Sequence, residues 1–407
     1  MGTLNEYAFH LVEQFKNKAE IGEIILITDR LPDGQSYHIE EAPIPITVKD
    51  VWSFNSMGNM YQILKAIRQT QPDVVLYNIH FLSFGDKKVP AALGLMIPML
   101  SRFLGFPSVV LLHNIVESVD LSSAGITKNP LLSRIFQMFG TMLTHFLLSS
   151  DLLAVTISRY VEILEKKYKT RKVALIPHGS FEVPEEPDFD LPKGPKKVMA
   201  FGKFGTYKKV ETMIEAVEKI RSRTNEDIEI VIAGTDSPNS KGYLDHMKQI
   251  YSHVPQLTFT GYVEEEDVPK VFSESAVVVF PYTSTTGSSG VLHQAGSYGK
   301  ACVLPNIGDL KSLIEEEGYG GAYFEPDSKE SMADAIQTLL EDEARRKIVA
   351  QQNYAAAASL PMSDIADWYL MHFEQLQKQR KLKNTRRTQL AFRFPFAKFW
   401  QKPAWQV

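Results

Sequence analysis

The chain of 407 residues has a single cysteine, Cys302. A lone thiol excludes an internal disulfide and a CxxC-type metal site, and it fits a reducing compartment. Long apolar runs are missing too. The longest, residues 91–100, is broken by Pro98 and followed by Ser101 and Arg102. That falls short of the roughly 20 residues a membrane span needs. Neither sign of charge is in excess: 44 lysines and arginines face 48 acids, a net of −4. Such a balance argues against a dedicated nucleic-acid binder. The start, Met1-Gly2-Thr3-Leu4-Asn5-Glu6, has an early acid and no apolar stretch, so a secretory leader is not expected. The expectation is a cytoplasmic protein, at most peripheral on a membrane.

What is present is ordinary for a folded chain, with 44% apolar and 23% charged residues. At about 150 residues per domain the length predicts two or three domains. Both halves alternate short Val/Ile/Leu runs with helical patterns, the rhythm of parallel α/β structure. The first half predicts strands over 23–29, 73–78, 108–113, 152–157 and 172–176, with helices over 5–18, 60–69, 90–104, 131–148 and 159–168. Prolines at 177, 184, 187, 192 and 195 then mark an extended linker. The second half predicts strands over 197–201, 229–233, 257–260, 276–280 and 301–304. Its helices are 210–223, 244–251, 266–274, 289–298, 310–316 and 329–341, with more helix over 342–376. Two Rossmann-like doubly wound domains facing across a cleft are implied, and the cleft is the default place for a ligand. A doubly wound domain normally opens strand, glycine turn, helix. Here the chain enters the helix almost at once, with Gly2 at the turn. The first domain is therefore expected to lack its opening strand, leaving strand 23–29 beside a gap.

Two segments carry chemistry. In 198–216 a strand runs into a glycine-containing loop with Lys203, Lys208 and Lys209, then into a helix. Helix N–H groups and ammonium groups together suit a bound phosphate, although solvated surface lysines would look the same. In 278–303 a buried strand ends at Pro281, and a run of Ser, Thr and Gly opens a helix that closes at Gly299. Glycines there let a backbone approach a ligand closely.

In this order the residues Gly202-Lys203, Lys208, Thr212-Met213-Ile214-Glu215-Ala216, Ala233-Gly234, Phe259-Thr260-Gly261-Tyr262 and Pro281…Gly290…Gln294-Ala295…Gly299-Lys300 resemble the donor domain of group 1 glycosyltransferases. These are retaining enzymes of the GT-B fold that use nucleotide-activated sugars. The resemblance covers most of 197–341. The first half agrees more loosely, through Val110-Leu111-Leu112-His113-Asn114 and Ile176-Pro177-His178-Gly179. It implies an acceptor-binding domain over 1–180, a linker over 181–196, a donor domain over 197–360, a helix over 361–379 returning to the first domain, and a tail over 380–407.

The resemblance also implies roles. Lys203, where the family has arginine, and Lys208 would contact the diphosphate, with Lys203 lacking the bidentate fork. Gly202, Thr286, Ser288 and the amides of Ser289, Gly290 and Val291 would line the sugar and distal phosphate. Tyr262 and Val263 would hold the base, and Gln294 the ribose. His113 would reach the sugar from the other domain; by itself it also reads as a partly buried strand-end histidine. Members of the family need no bound metal, and no DxD-like cluster stands in the donor loops, so no metal or other cofactor is expected. The family's paired glutamates, eight positions apart, are Thr286 and Gln294 here. Glutamine can still bond hydroxyls, but both carboxylates are gone. His293 is expected to be structural, because a neighbouring helix position points about 100° away.

From Arg380 onward eight basic residues stand with no acid, interleaved with Phe392, Phe394, Phe396, Phe399, Trp400 and Trp405. The segment suits an anionic membrane surface, or equally a groove on the folded domains. The function expected is transfer of a sugar from a nucleotide-sugar donor to an unidentified acceptor. A non-catalytic sugar-nucleotide or glycan binder, and a hydrolase or epimerase of the same fold, remain alternatives.

Overall fold

The computed structural model describes residues 6–30, 37–39, 42–115, 130–191, 193–284 and 288–393. Helix α1 (Glu6–Phe15) buries Tyr7, His10, Leu11 and Phe15, three and four positions apart on one face. Then come β1 (Ile24–Asp29), β2 (Tyr37–Ile39), β3 (Ile46–Trp52), α2 (Asn59–Thr70), β4 (Val75–Ile79), α3 (Lys88–Leu95), α4 (Ile97–Phe103) and β5 (Ser108–Leu112). The half ends with α5 (Pro130–Leu148), β6 (Leu152–Val155), α6 (Ser158–Tyr168) and β7 (Val173–Leu175). Strands β4, β5, β6 and β7 form a parallel sheet in that order. Every residue of β5 is buried, as a strand covered on both faces requires.

Strands β1, β3 and β2 make a separate three-stranded sheet, in that spatial order. β1 is bonded on one side, to β3, and β4 on one side, to β5. Among the described residues no strand joins those two free edges. Residues 1–5, with Gly2, lie outside the described residues. The expected helix 90–104 is two helices. They meet at Met96, and Pro98 sits in the first turn of α4, where a missing N–H costs nothing.

The second half runs β8 (Lys196–Phe204), α7 (Glu211–Arg223), β9 (Ile228–Asp236), α8 (Tyr243–Ile250), β10 (Leu257–Gly261), a 3-10 turn (Glu265–Asp267), α9 (Val268–Ser273), β11 (Ser275–Val279) and α10 (Gly290–Ser297). Then follow β12 (Cys302–Pro305), α11 (Gly308–Glu317), β13 (Gly321–Phe324) and α12 (Lys329–Glu341). Its parallel sheet has the order β10-β9-β8-β11-β12-β13. The chain leaves β8 toward one edge and returns at β11 to build toward the other. The switch point, where such sheets bind ligands, therefore lies between the ends of β8 and β11.

The helical stretch after residue 342 is broken before Pro361 into α13 (Glu343–Ala358) and α14 (Met362–Arg393). At the break Ser180 N–H donates to Leu360 O and Met362 N–H to Ser180 O, at 2.8 and 2.9 Å, which clips the crossing chain to the domain junction. α14 then lies on the first domain. Its Met362, Ile365, Ala366 and Tyr369 share one buried cluster with Tyr7, Leu11 and Phe15 of α1 and with Val109 and Leu111 of β5. The helix continues to Arg393, so the basic segment begins within it rather than as a separate tail. Phe394, Phe396, Phe399, Trp400 and Trp405 lie outside the described residues. Among the described residues no helix is long and apolar enough to cross a membrane.

Candidate active site

At the switch point the loop after β8 is zipped to the loop after β11. Lys209 N–H donates to Pro281 O at 2.9 Å and Thr283 N–H to Tyr207 O at 2.8 Å. Lys208 is thereby turned inward. Its Nζ stands 3.0 Å from where a Cβ on Gly202 would be and 4.7 Å from the Tyr282 ring centroid, and Val291 Cγ2 stands 3.7 Å from the same Gly202 position. The bare backbone of Gly202 (φ +126°) makes that room. Burial pulls the Lys208 ammonium below its usual range, while Tyr207 and Glu6 support the charge. A poorly hydrated ammonium of this kind stabilises an incoming anion strongly.

Val291 belongs to the first turn of α10, whose N-cap, Ser289, makes no side-chain capping bond. Its leading N–H groups are left for an acceptor, and the helix dipole favours an anion there. Ser289 is buried, with its Oγ 3.5 Å from the Tyr282 hydroxyl. Ser288 is half-buried just before it, and Thr286 lies outside the described residues. Lys203, at the end of β8, is exposed. Tyr262 is 70% exposed at the end of β10, and Val263 packs on the core behind it.

A column of rings connects this wall to the other domain. His113, just after β5, has its Nε2 2.5 Å from Asn78 Oδ1, so Nε2 carries the proton. The Tyr7 ring meets His113 edge-on at 5.1 Å and His178 at 4.9 Å. His178 donates from Nδ1 to Gly179 O at 3.0 Å and lies 3.7 Å from where a Cβ on Gly290 would stand. Burial pushes His113 down to about 3 and His178 to about 4, so both are neutral at pH 7. His293 is fully enclosed. Its Nδ1 is 2.9 Å from the Tyr319 hydroxyl, which fits a structural part.

The structure thus brings together Gly202, Lys208, Ser289, Gly290 and Val291, with His113 one ring away. It adds a residue that no spacing in the sequence connects to them. Glu6 of α1 accepts from Gln294 Nε2 at 3.3 Å. Lys203, Lys208, His10 and Glu265 all act on its carboxyl, and desolvation holds that carboxyl above the usual carboxylate range. One turn along, His10 Nε2 lies 3.6 Å from Glu265 Oε1. Only folding sets the first helix against this wall.

Residues 195–342 match the family model described as glycosyl transferases group 1. That segment belongs to the group 1 glycosyl transferases. The curated alpha-D-kanosaminyltransferase of Streptomyces kanamyceticus is 30% identical over 165 residues, 40% of either protein, so the chain matches well under half the length of that relative. Sucrose-phosphate synthase from Thermosynechococcus elongatus superposes with a TM-score of 0.70 at 17% identity, covering 91% of this chain and 94% of that one. Anabaena HepE in complex with UDP gives 0.64 at 15% identity, covering 92% and 98%. The fold is GT-B: two Rossmann-like domains, the second holding the segment that matches the group 1 model.

Proposed function

We propose that the protein is a hexosyltransferase that moves a sugar from a nucleoside-diphosphate donor to an acceptor with retention of configuration. One observation carries this. A desolvated lysine, an uncapped helix N-terminus and a glycine-bared strand end meet at the switch point, with a histidine column reaching them from the facing domain. Departure of a nucleoside diphosphate builds charge on the distal phosphate. Lys208 and the first amides of α10 are placed to stabilise that charge more in the transition state than in the ground state. The kinship of 195–342 and the UDP bound to HepE support a nucleotide-sugar donor.

The group 1 kinship of 195–342 supports retention, residues 281–297 contain no carboxylate for a double displacement, and His113 stays neutral at neutral pH. The departing phosphate is the group left to take the acceptor proton, on the face it leaves. The protein then works by positioning and by charge stabilisation, without a protein-held metal. The basic stretch from Arg380 supports a peripheral contact with an anionic membrane, and the acceptor would be met there.

A donor carrying isotopically labelled sugar tests the reading. Label transferred to an acceptor with the anomeric configuration kept is expected. Tight binding without turnover would make the protein a binder, and free sugar a hydrolase. A thermal-shift screen across UDP-, GDP- and ADP-sugars picks the donor, since a ligand at 100 times its Kd stabilises by about 2.7 kcal/mol. Salt-sensitive sedimentation with anionic liposomes, abolished by removing 380–407, tests the membrane contact.

A further inference from the structure

Glu6 comes from the first domain, yet its carboxylate stands against the second, bonded to Gln294 and within the field of Lys203 and Lys208. We infer that Glu6 and Gln294 together hold the hydroxyl groups that flank the diphosphate of the donor. This rests on the donor reading above.

The chemistry of the group decides its ligand. An ionised carboxylate only accepts hydrogen bonds, and so does a phosphate, so Glu6 cannot grip the phosphates that its two lysines attract. What it can grip is an O–H next to them. A nucleotide sugar offers hydroxyls on both sides of its diphosphate, on the ribose and on the transferred sugar. The carboxamide of Gln294 donates through one atom and accepts through the other, so the pair presents one donor face and several acceptor sites to a polyol. The lysines make the placement affordable, because they balance both the carboxylate and the diphosphate. Without them two anions would meet across the cleft at a cost of several-fold in affinity.

The position of Glu6 is held by packing. Tyr7, Leu11 and Phe15 root α1 in the first domain. Positions 6 and 10, one turn apart, then face the second domain at two points, Gln294 and Glu265. Glu6 is therefore carried by one domain and presented to the other. The donor loop itself, 281–297, holds no carboxylate that could do the same from its own side.

The test compares wild type, Glu6→Gln, Glu6→Ala and the double variant Glu6→Ala/Gln294→Glu by calorimetry. The probes are UDP, GDP and ADP, their 2′-deoxy forms, and the UDP-, GDP- and ADP-linked sugars. Wild type should prefer one ribonucleotide over its 2′-deoxy form, or the nucleotide sugar over the bare diphosphate, by roughly ten-fold or more, as a charged hydrogen bond allows. Glu6→Ala should erase that preference, and the added glutamate at 294 should restore it. Loss of the ribose preference assigns the hydroxyls to ribose, and loss of the sugar preference assigns them to the transferred sugar. Unchanged preferences, or tighter binding of every probe to Glu6→Ala, would overturn the inference and leave the donor reading intact. If wild type binds none of the probes, the donor reading falls and takes the inference with it. Unfolding temperatures are measured alongside; because Glu6 faces the cleft, they should stay within a few degrees of wild type.

Discussion

The imidazole rings of His178 and His293 lie face to face, their centroids 5.0 Å apart and their planes 7° from parallel. One ring belongs to the domain junction and the other to α10, so the stack fixes α10 against that junction. Burial lowers both rings well below the usual histidine range. The contact exists only between neutral rings, because two imidazolium ions at that distance in a dry interior would repel strongly.

Acid should therefore unfold the protein from this column. His113, His178 and His293 are neutral when folded, whereas in the unfolded chain each takes a proton near pH 6.5. Glu317 acts in the opposite sense. Burial raises it to about 8, so the folded state holds a proton that the unfolded chain has released above about 4.5. Near pH 5.5 the unfolded state binds about two protons more, and stability should drop by about 2.7 kcal/mol per pH unit. Urea midpoints at several pH values should peak near pH 6.5 to 7. A flat profile between pH 7 and 5 would contradict the assignment.

Glu317→Gln isolates the opposing group. The carboxyl has an Oε2 with no hydrogen-bond partner and a neutral His293 Nδ1 3.6 Å away. Its cost is absent below about pH 4.5, grows as pH rises, and is complete above about 8. The variant should match wild type at pH 4.5 and exceed it by at least about 2 kcal/mol at pH 8.5, read by urea melts. Equal gains at both pH values would point to packing instead of charge.

Lys208→Ala should lower kcat by roughly 100-fold, a loss of about 2.7 kcal/mol in transition-state stabilisation, with donor saturating. Lys209 is the internal control. It is exposed, and its backbone rather than its side chain is tied to Pro281. Lys209→Ala should change kcat by less than about three-fold. Equal losses for the two would mean that loop disruption, and not the inward ammonium, sets the rate.

Gly234→Ala should destabilise by about 3 kcal/mol or more. A Cβ there would sit 1.9 Å from Gly202 O, in a backbone conformation with φ +136°. Gly318 also has positive φ, +80°, but nothing stands within 4 Å of its missing Cβ. Gly318→Ala should cost only about 1 kcal/mol. Chemical denaturation of the two variants measures the difference between crowding and strain. Gly234→Ala should also weaken nucleotide binding, because it pushes on the strand end that shelters Lys208.

Most helices and strands of the second half were legible because each of their patterns is local. Apolar runs covered on both faces mark β8, β9, β11 and β12, and the 3.6-residue period marks α7 and α12. Strands β2, β3 and β13 were not legible. β2 has three residues, all exposed, β3 carries Lys49 and Asp50, and β13 begins on glycine. Pairing with neighbours, rather than composition, makes them strands. Helix 90–104 read as unbroken in the sequence, and its break at Met96 became visible only as two helices in the folded chain.

The sequence by itself determined the class of the fold, the anion-friendly loops after β8 and β11, and the group 1 kinship, because short-range order and backbone demands are written within a few residues. Tertiary structure alone decided that Lys208 is turned inward and half-buried, that His113, His178 and His293 stand in one column at the domain junction, and that Glu6 meets Gln294 across 288 positions of chain. These depend on how two domains close and on how much water the closure removes. Burial and distance between remote segments are properties of the packed chain, and no local pattern encodes them.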